Sequence, residues 1–325
     1  MKNLSYISVI IPIYNSKNWI SRMVNSVLCQ SFTDFELILV DDGSNDGSED
    51  IIDDYSKKDN RIKVIHKKNG GSNSARQAGF DIAKGEYYII VDADDWMEPN
   101  MLEEMYDKAK EKNADIVICA LEHVYQNMGK IIHDVVQSRP TSLSKNTLYK
   151  DMLNGKCDIA TWNKLIKRSV AIENKLKYPT EITIFEDIPM SLYLAKVSKV
   201  VAYTPKVLYH YDQCTNLSSI TNPKNSTSID KRMLAIDYFL HDESLRPMAY
   251  KYAIWVCIYF SLRNNILSKK EFKERFRQYK FKGFFIKSPK MPMQAFIFAF
   301  TAMYINFDLA SLVMKLKLKR LERIS

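Results

Sequence analysis

The chain has 325 residues, of which 46% are hydrophobic and 26% are charged. This composition is ordinary for a folded protein and excludes a disordered or low-complexity chain. The five cysteines form no CxxC pair, which argues against a disulfide framework or a zinc knuckle and fits a reducing compartment. The net charge of +9 is carried by the part from Ile229 onward, where 19 Lys and Arg outnumber 8 Asp and Glu.

Apolar, β-branched runs alternate with segments of helical spacing from the N-terminus to Ala120. The first run reaches Pro12 and Tyr14 without a small-residue cleavage site, so it predicts a buried strand rather than a signal peptide. The alternation predicts a doubly wound, mostly parallel α/β sheet, in which ligands bind beyond the carboxyl ends of the strands. The predicted strands are Ile7–Ile13, Phe35–Val40, Ile62–His66, Tyr87–Val91 and Asp115–Ala120, and the predicted helices are Trp19–Leu28, Ser48–Tyr55, Ser72–Ala83 and Pro99–Asn113.

The pattern changes twice after Ala120. Between Gln126 and Lys150 it weakens, and one further strand is predicted at Ile131–Val136. Beyond Ser228 the apolar residues recur with helical spacing. We therefore predict an α/β domain over residues 1–227 and a basic helical region over residues 228–325. The helices predicted in the second region are Met233–Leu240, Met248–Leu262, Lys270–Tyr279 and Met293–Lys319.

The segment Asp92-Ala93-Asp94 follows a predicted buried strand. Residues at positions i and i+2 of an extended segment point the same way, so Asp92 and Asp94 are expected to project together. Hard carboxylate oxygens of this kind suit Mg²⁺ or Mn²⁺, which would also bind substrate phosphate. The alternative is an acidic turn with no ligand, since Asp is common in turns. The position after a buried strand, near other acidic strand ends, favours the metal site.

Two other segments carry polar groups at predicted strand ends. Asp41-Asp42 follows the second strand and can accept hydrogen bonds from a base N–H or a ribose hydroxyl. The segment Asn69–Arg76 places glycines before a helix N-terminus, where an anion is favoured, although it matches neither a Walker A loop nor GxGxxG. Two interpretations of Arg76 are open. It contacts the base or the phosphates of the ligand, or it is an arginine on the protein surface.

Four ordered stretches carry a family resemblance: SVIIPIYNSKNWISRMVNSVLCQSF, FELILVDDGSNDGS, NGGSNSARQAG and GEYYIIVDADDWMEP. In this order and spacing they resemble the bacterial family 2 of inverting glycosyltransferases, which have the GT-A fold. The resemblance is close over Ser5–Asn113. It continues more loosely through TWNKLIKRS and FEDIPMSLYL, which resemble the "NKL" segment and the Glu-Asp motif of that family.

The resemblance implies a role for particular positions. Asp92 and Asp94 match its metal–diphosphate motif, with Asp94 as the direct ligand, and Asp187 matches its general base. Some relatives add a downstream histidine to the metal, and His210 is the counterpart here, although a lone histidine is more often structural. Gln77 departs from the Asn that usually follows the arginine. The positions matching those that hold the nucleotide-sugar donor are Pro12, Tyr14, Asn15, Asp42, Arg76, Asp92 and Ala93.

The C-terminal region contains an apolar stretch followed by a basic end, Lys315–Arg320. The stretch is short for a spanning helix and contains Asp308, which would be costly inside a bilayer. Its apolar residues Phe296, Phe300, Met303 and Phe307 follow helical spacing, which suits an interfacial helix on an anionic leaflet. A packed helical subdomain with a basic tail would give the same pattern. No nucleic-acid-binding motif accompanies the charge, so nucleic acid is not expected as a partner.

The sequence therefore predicts a metal-dependent inverting glycosyltransferase with Mn²⁺ or Mg²⁺ as cofactor. We expect it to transfer a hexosyl or N-acetylhexosaminyl group from a nucleotide-sugar donor, commonly UDP-linked, to a glycan or lipid-linked acceptor in surface polysaccharide synthesis. The expected location is cytoplasmic, peripheral at the inner face of the cell membrane. A sugar nucleotidyltransferase would need a Gly-rich basic loop after the first strand, which PIYNSKNW lacks. A non-catalytic nucleotide-sugar sensor would not need Asp92, Asp94 and Asp187, which are all present.

Overall fold

The structure is a computed structural model that divides into two compact units. The first comprises Met1–Met152 and Lys156–Leu217, and the second comprises Leu153–Gly155 and Ser218–Ser325. The predicted domain boundary after residue 227 stays a prediction. The residues described are 6–127, 130–136, 147–153, 157–213, 226–243, 245–246, 248–249, 267–276, 297 and 300–322.

The first unit begins with a parallel sheet whose strands are almost completely buried, except for the edge strand Ile62–His66, which is partly exposed. Their β-branched and aliphatic residues suit a sheet covered on both faces. Strand order is β3-β2-β1-β4, and all neighbours are parallel, as predicted from the sequence. The elements of this part are β1 (Ile7–Ile13), α1 (Ile20–Leu28), β2 (Phe35–Asp41), α2 (Ser48–Lys58), β3 (Ile62–His66), α3 (Ser72–Ile82) and β4 (Tyr87–Ile90).

The remainder of the first unit extends this sheet with mixed pairing. After β4 the strand order continues β8-β6-β9-β5, and β7 pairs with β6. Of these pairs only β6 and β9 run parallel, so the sheet as a whole is mixed and its uniformly parallel part is formed by the first four strands. The elements are β5 (Trp96–Met97), α4 (Met101–Lys112), β6 (Ile116–Asn127), β7 (Lys130–Val136), α5 (Thr147–Leu153), β8 (Lys164–Lys167), α6 (Arg168–Glu173), α7 (Asp187–Val197) and β9 (Val201–Asp212).

Helix α3 packs unusually close to the sheet because of one glycine. A Cβ added to Gly79 would lie 2.4 Å from Ile10 Cγ2, which is closer than real side chains approach, and 3.2 Å from Val40 Cγ2, which is a tight contact. Ala75, one turn earlier, is also completely buried. This close packing fixes the helix that carries Arg76 directly over the parallel strands.

The second unit is helical over its described residues, as predicted. Its elements are α8 (Ser226–His241), α9 (Lys269–Phe276), a π-helical turn (Thr301–Ile305) and α10 (Phe307–Glu322). The predicted continuous helix Met293–Lys319 is interrupted at Asn306, which is extended and caps α10 by accepting bonds from the main-chain N–H of Asp308 and Leu309 at 2.9 and 3.2 Å. The predicted helix Met248–Leu262 lies almost entirely outside the described residues.

The predicted apolar stripe of the C-terminal region is only partly described. Phe296 lies outside the described residues, and Phe307 is buried with its ring centroid 4.9 Å from that of Phe272. Phe307 therefore belongs to the packed face of α10 rather than to an exposed stripe. No helix within the described ranges is both long enough and apolar enough to cross a membrane.

Candidate active site

The carboxyl ends of β1, β2 and β4 lie side by side, and the predicted donor-binding residues follow them. The Asp42 main-chain N–H donates to Ile13 O at 2.8 Å, which joins the ends of β1 and β2. The Asp42 carboxylate accepts hydrogen bonds from the N–H groups of Gly70 and Gly71 at 3.0 and 2.7 Å, and from the Lys67 ammonium. Asp42 thus holds the loop that leads into α3.

The end of β1 is shaped by a left-handed residue. Asn15 has φ of 49°, and its main-chain N–H donates to Ser44 Oγ at 3.0 Å while its side-chain oxygen accepts from Asn45 N–H at 2.9 Å. Pro12 pairs with Val40 within the sheet. Tyr14 is 52% exposed, so an aromatic face is available to a ligand at this strand end.

Arg76 connects two acidic segments that are distant in sequence. Its guanidinium is buried, with one nitrogen 3.3 Å from Asp92 Oδ1 and the other 3.2 Å from both Glu186 Oε1 and Asn73 Oδ1. Burial acts to lower the pKa of Arg76, but the neighbouring carboxylates hold it above its usual range. Burial raises the pKa of Asp92 to about 6, Arg76 opposes this rise, and the Asp94 carboxylate adds to it. The alternative of a surface arginine is therefore wrong.

The acidic turn after β4 is built on a buried tyrosine from β9. The Asp92 main-chain N–H donates to the Tyr209 hydroxyl at 3.1 Å, and this hydroxyl donates to Asp95 Oδ2 at 2.6 Å. Asp95 also accepts from the Asp212 main-chain N–H at 2.9 Å. Burial, with the charges of Asp94 and Asp92, raises the pKa of Asp95 well above its usual range. Asp95 therefore supports the turn from inside.

A second support of the same turn comes from α1. The Arg22 guanidinium donates to the main-chain oxygen of Asp94 and forms an ion pair of 2.7 Å with Asp212. It also lies over the Trp96 ring, 4.4 Å from its centroid. Ala93 is buried between the two half-buried carboxylates of the motif. The backbone of the turn is thus held on both sides.

The predicted base lies at the start of α7, next to a strained residue. Phe185 has φ of 59°, a conformation that is rare for a bulky side chain. It is followed by Glu186, which contacts Arg76, and by Asp187, the first residue of the helix. Burial and then the Glu186 carboxylate raise the pKa of Asp187 to about 7, while Arg76 acts in the opposite direction. A carboxylate with this pKa is suited to accept a proton near neutral pH.

His210 lies on β9 with both ring nitrogens engaged. Nδ1 is 2.6 Å from Glu122 Oε1 and Nε2 is 2.7 Å from Glu98 Oε1, and the ring stacks on Trp96 with centroids 4.9 Å apart. A metal bond at either nitrogen would have to displace one carboxylate. The assignment of His210 as a metal ligand stays a prediction, and these contacts do not favour it. Within the described ranges, no group of at least three His, Cys, Asp or Glu side chains could hold a metal ion.

Sequence reasoning missed the residues that join these segments. Glu186 received no role of its own from the sequence, although it is a direct partner of Arg76. Asn73 and Tyr209 had no signal in the sequence, because the main-chain groups with which they form hydrogen bonds lie more than a hundred residues away along the chain. The structure brings Arg76 to the acidic turn Asp92–Asp95 through its ion pair with Asp92.

Comparison with known proteins gives one family and a shared fold. The model of the family described as glycosyl transferase family 2 matches residues 8–173. EpsH of Bacillus subtilis is 34% identical over 66% of this chain, and the matched part spans 62% of the length of EpsH.

The structure of S. aureus TarS 1–349 in complex with UDP-GlcNAc superposes with a TM-score of 0.65 at 17% identity, covering 96% of this chain and 91% of that one. Mannosyltransferase PcManGT from Pyrobaculum calidifontis, in complex with GDP-Man and Mn²⁺, gives 0.51 at 15% identity, covering 95% and 84%. At these identities the two structures establish the fold alone.

Proposed function

The chain belongs to glycosyl transferase family 2, and on that basis we propose that it is an inverting transferase acting on a nucleotide-sugar donor, UDP-linked, in surface polysaccharide synthesis. The acceptor is a hydroxyl of a glycan or of a lipid-linked sugar. The observation that carries the proposal is the Asp92–Arg76–Glu186 bridge, which brings the acidic turn after β4 next to Asp187. The segment that we propose to bind the diphosphate therefore lies near a carboxyl group, that of Asp187, whose pKa is raised to about 7.

The arrangement supports a single displacement at the anomeric carbon. The acceptor hydroxyl must lose a proton as it attacks, and the Asp187 carboxylate can accept that proton. Arg76 carries a positive charge that can offset charge on the diphosphate, while Tyr14 offers its exposed ring to the base. Attack from the side opposite to the leaving diphosphate inverts the configuration at this carbon.

We propose that a divalent cation, Mn²⁺ or Mg²⁺, binds at the acidic turn with only two protein carboxylates as ligands, while the phosphate oxygens of the donor would supply others. Burial and carboxylate–carboxylate repulsion raise the pKa values of Asp92 and Asp95, and a bound cation would offset that repulsion. We assign Asp94 and Asp92 as the residues that would hold it, since carboxylate oxygens are preferred ligands of both ions. When bound, such a cation neutralises charge on the departing diphosphate as a Lewis acid.

We also propose that the protein is cytoplasmic and peripheral at the inner face of the membrane, through α10. One face of this helix is packed, and the opposite face presents aliphatic side chains at the spacing i, i+3, i+4 and i+7. Basic residues follow in Lys315–Arg320, so an anionic leaflet complements both the apolar and the charged parts. The exposed residues and their exposed fractions are Leu309 (48%), Leu312 (55%), Val313 (42%) and Leu316 (59%).

A donor panel tests the activity. UDP-glucose, UDP-galactose, UDP-N-acetylglucosamine and GDP-mannose are each incubated with the protein and Mn²⁺, and nucleoside diphosphate release is measured. We expect release from at least one UDP-sugar and none from an Arg76→Met variant, which loses the bridge between the acidic segments. Release of inorganic pyrophosphate from UTP and a sugar phosphate, with no release of UDP, would instead identify a nucleotidyltransferase.

A further inference from the structure

Asn73 is a buried side-chain amide in the first turn of α3, 1% exposed, and it is fully hydrogen-bonded. Its Nδ2 donates to the main-chain oxygens of Pro179 and Glu186 at 2.8 and 3.1 Å. Its Oδ1 accepts from the Arg76 guanidinium at 3.2 Å. One side chain therefore contacts the proposed donor-binding arginine and both ends of the segment that leads to Asp187.

That segment, residues 179–186, is not held in place by regular secondary structure. Its Phe185 has the left-handed φ of 59°, and a strained conformation of this kind persists only when the surrounding contacts enforce it. A second amide on α3 contributes, since Gln77 Oε1 accepts from the Tyr178 N–H at 2.9 Å. Asn73 and Gln77 are one helical turn apart, so a single face of α3 fixes the entry and the exit of the segment.

We propose that Asn73 is a positioning residue that fixes Asp187 relative to Arg76, through the main chain of Pro179 and Glu186. The inference rests on the proposed function, in which Asp187 removes the acceptor proton. The general physical reason is that transfer requires the base and the donor to be aligned within a fraction of an ångström. Close packing of α3 at Gly79 makes the helix a rigid reference for this alignment.

The chemistry of the position requires an amide. Two donors must reach two main-chain oxygens while one acceptor faces Arg76, and among side chains of this size only Asn supplies both donors and the acceptor. Aspartate has the same shape and keeps the contact with Arg76, but it cannot donate to Pro179 O or Glu186 O. The substitution Asn73→Asp therefore removes the link to the segment and leaves the contact with the arginine.

A matched control exists just after the C-terminal end of α1. Gln30 is also a buried amide, which donates to the main-chain oxygens of Ser26 and Glu98 at 2.9 and 2.7 Å and accepts from the Leu102 N–H at 2.9 Å. The substitution Gln30→Glu makes the same chemical change at a place that does not contact Asp187 or Arg76. Both variants are expected to lower the melting temperature.

The test measures UDP release at saturating donor, UDP affinity by calorimetry, and amide hydrogen exchange. We expect Asn73→Asp to lower kcat by about 10²-fold with UDP affinity nearly unchanged, as for a misplaced catalytic group. Exchange should accelerate in residues 180–188. Gln30→Glu should keep kcat and accelerate exchange only near Leu102. Asn73→Ser, which also loses the paired donors, serves as a second variant if the aspartate variant does not fold.

Turnover of Asn73→Asp equal to that of Gln30→Glu, or unchanged exchange in residues 180–188, would overturn the positioning role. If the proposed function itself is wrong, the experiment gives a different result. In that case the wild-type protein releases no UDP, or Asp187→Asn remains active, whatever Asn73→Asp does. The exchange measurement needs no donor, so it decides the structural part of the inference in either case.

Discussion

At the scale of the residue, the protonation state of the Asp187 carboxyl group links the structure to the proposed activity. A carboxyl group with an ordinary pKa is ionised throughout the neutral range, whereas Asp187 has a pKa of about 7, raised chiefly by burial and then by the charge of Glu186. Its other charged neighbours include Arg76, Asp158, Asp92 and Lys164. The group is therefore half protonated near neutral pH, and only the ionised form can act as a base.

This pKa predicts the pH dependence of transfer. Because a raised pKa keeps the proton on Asp187 at low pH, the rate of UDP release should rise as pH increases through about 7 and then level off. The measurement is kcat against pH from about 5 to 9, with the fold checked by circular dichroism at each pH. A rate that is flat down to about pH 5 would mean that no group with a pKa near 7 is required.

The residues of the site differed in how far the sequence could predict them. Asp92, Asp94, Arg76 and Asp187 stand in short motifs at strand or helix ends, where local sequence determines the geometry. The role of Asn73 depends on main-chain oxygens brought to it by a segment more than a hundred residues later. No local pattern encodes such a contact, and the sequence therefore predicted the charged residues but not the amide that holds them together.

At the scale of the element, the turn Asp92–Asp95 explains why a cation is expected. Three carboxylates within four residues repel one another, and the turn is kept in shape by Tyr209 from inside and Arg22 from outside. The backbone is thus fixed before any ligand binds. A fixed acidic turn is a suitable site for a hard divalent ion.

Metal removal tests this turn. We expect EDTA to abolish UDP release and Mn²⁺ or Mg²⁺ to restore it, and Asp94→Asn to require far more metal for the same rate. Asp107→Asn, on α4, is the control and should respond to metal as the wild-type protein does. Full activity of Asp94→Asn in excess chelator would exclude these carboxylates as the metal site.

The first strands and helices matched the prediction closely, whereas the second half of the sheet did not. Strands β1, β2 and β4 are buried on both faces, so continuous apolar runs identified them from local sequence alone. Strand β8 is only Lys164–Lys167, and it inserts antiparallel between β4 and β6. A strand this short carries little periodicity, and its neighbours are set by the packing of the whole sheet. The mixed pairing could therefore not be predicted.

At the scale of the whole molecule, the excess of positive charge lies in the sequence of the second unit. We propose that the exposed leucines of α10 and the basic sequence Lys315–Arg320 together bind anionic lipid. An acceptor carried on a lipid would be concentrated at the same surface. The proposed membrane association and the proposed acceptor are therefore consistent with each other.

Vesicle flotation tests this association. The intact chain should float with phosphatidylglycerol vesicles at low salt and be partly released at high salt, because salt screens the charge contribution. The double substitution Leu312→Glu and Leu316→Glu should prevent flotation. Leu234→Glu, at a leucine of α8 that is 55% exposed, is the matched control and should still float. An intact chain that stays unbound at low salt would contradict the proposal.

The central claim is that this chain transfers sugar with Asp187 as its base, and the most direct measurement compares UDP release by the wild-type protein with release by Asp187→Asn. Glu181→Gln is the control, since it changes an exposed acid of the same segment. We predict that Asp187→Asn keeps UDP affinity and melting temperature but loses at least about 10²-fold in kcat, as expected for loss of a general base. The Glu181→Gln variant should keep the wild-type rate. Near wild-type release by Asp187→Asn would contradict the account and direct attention to Glu186.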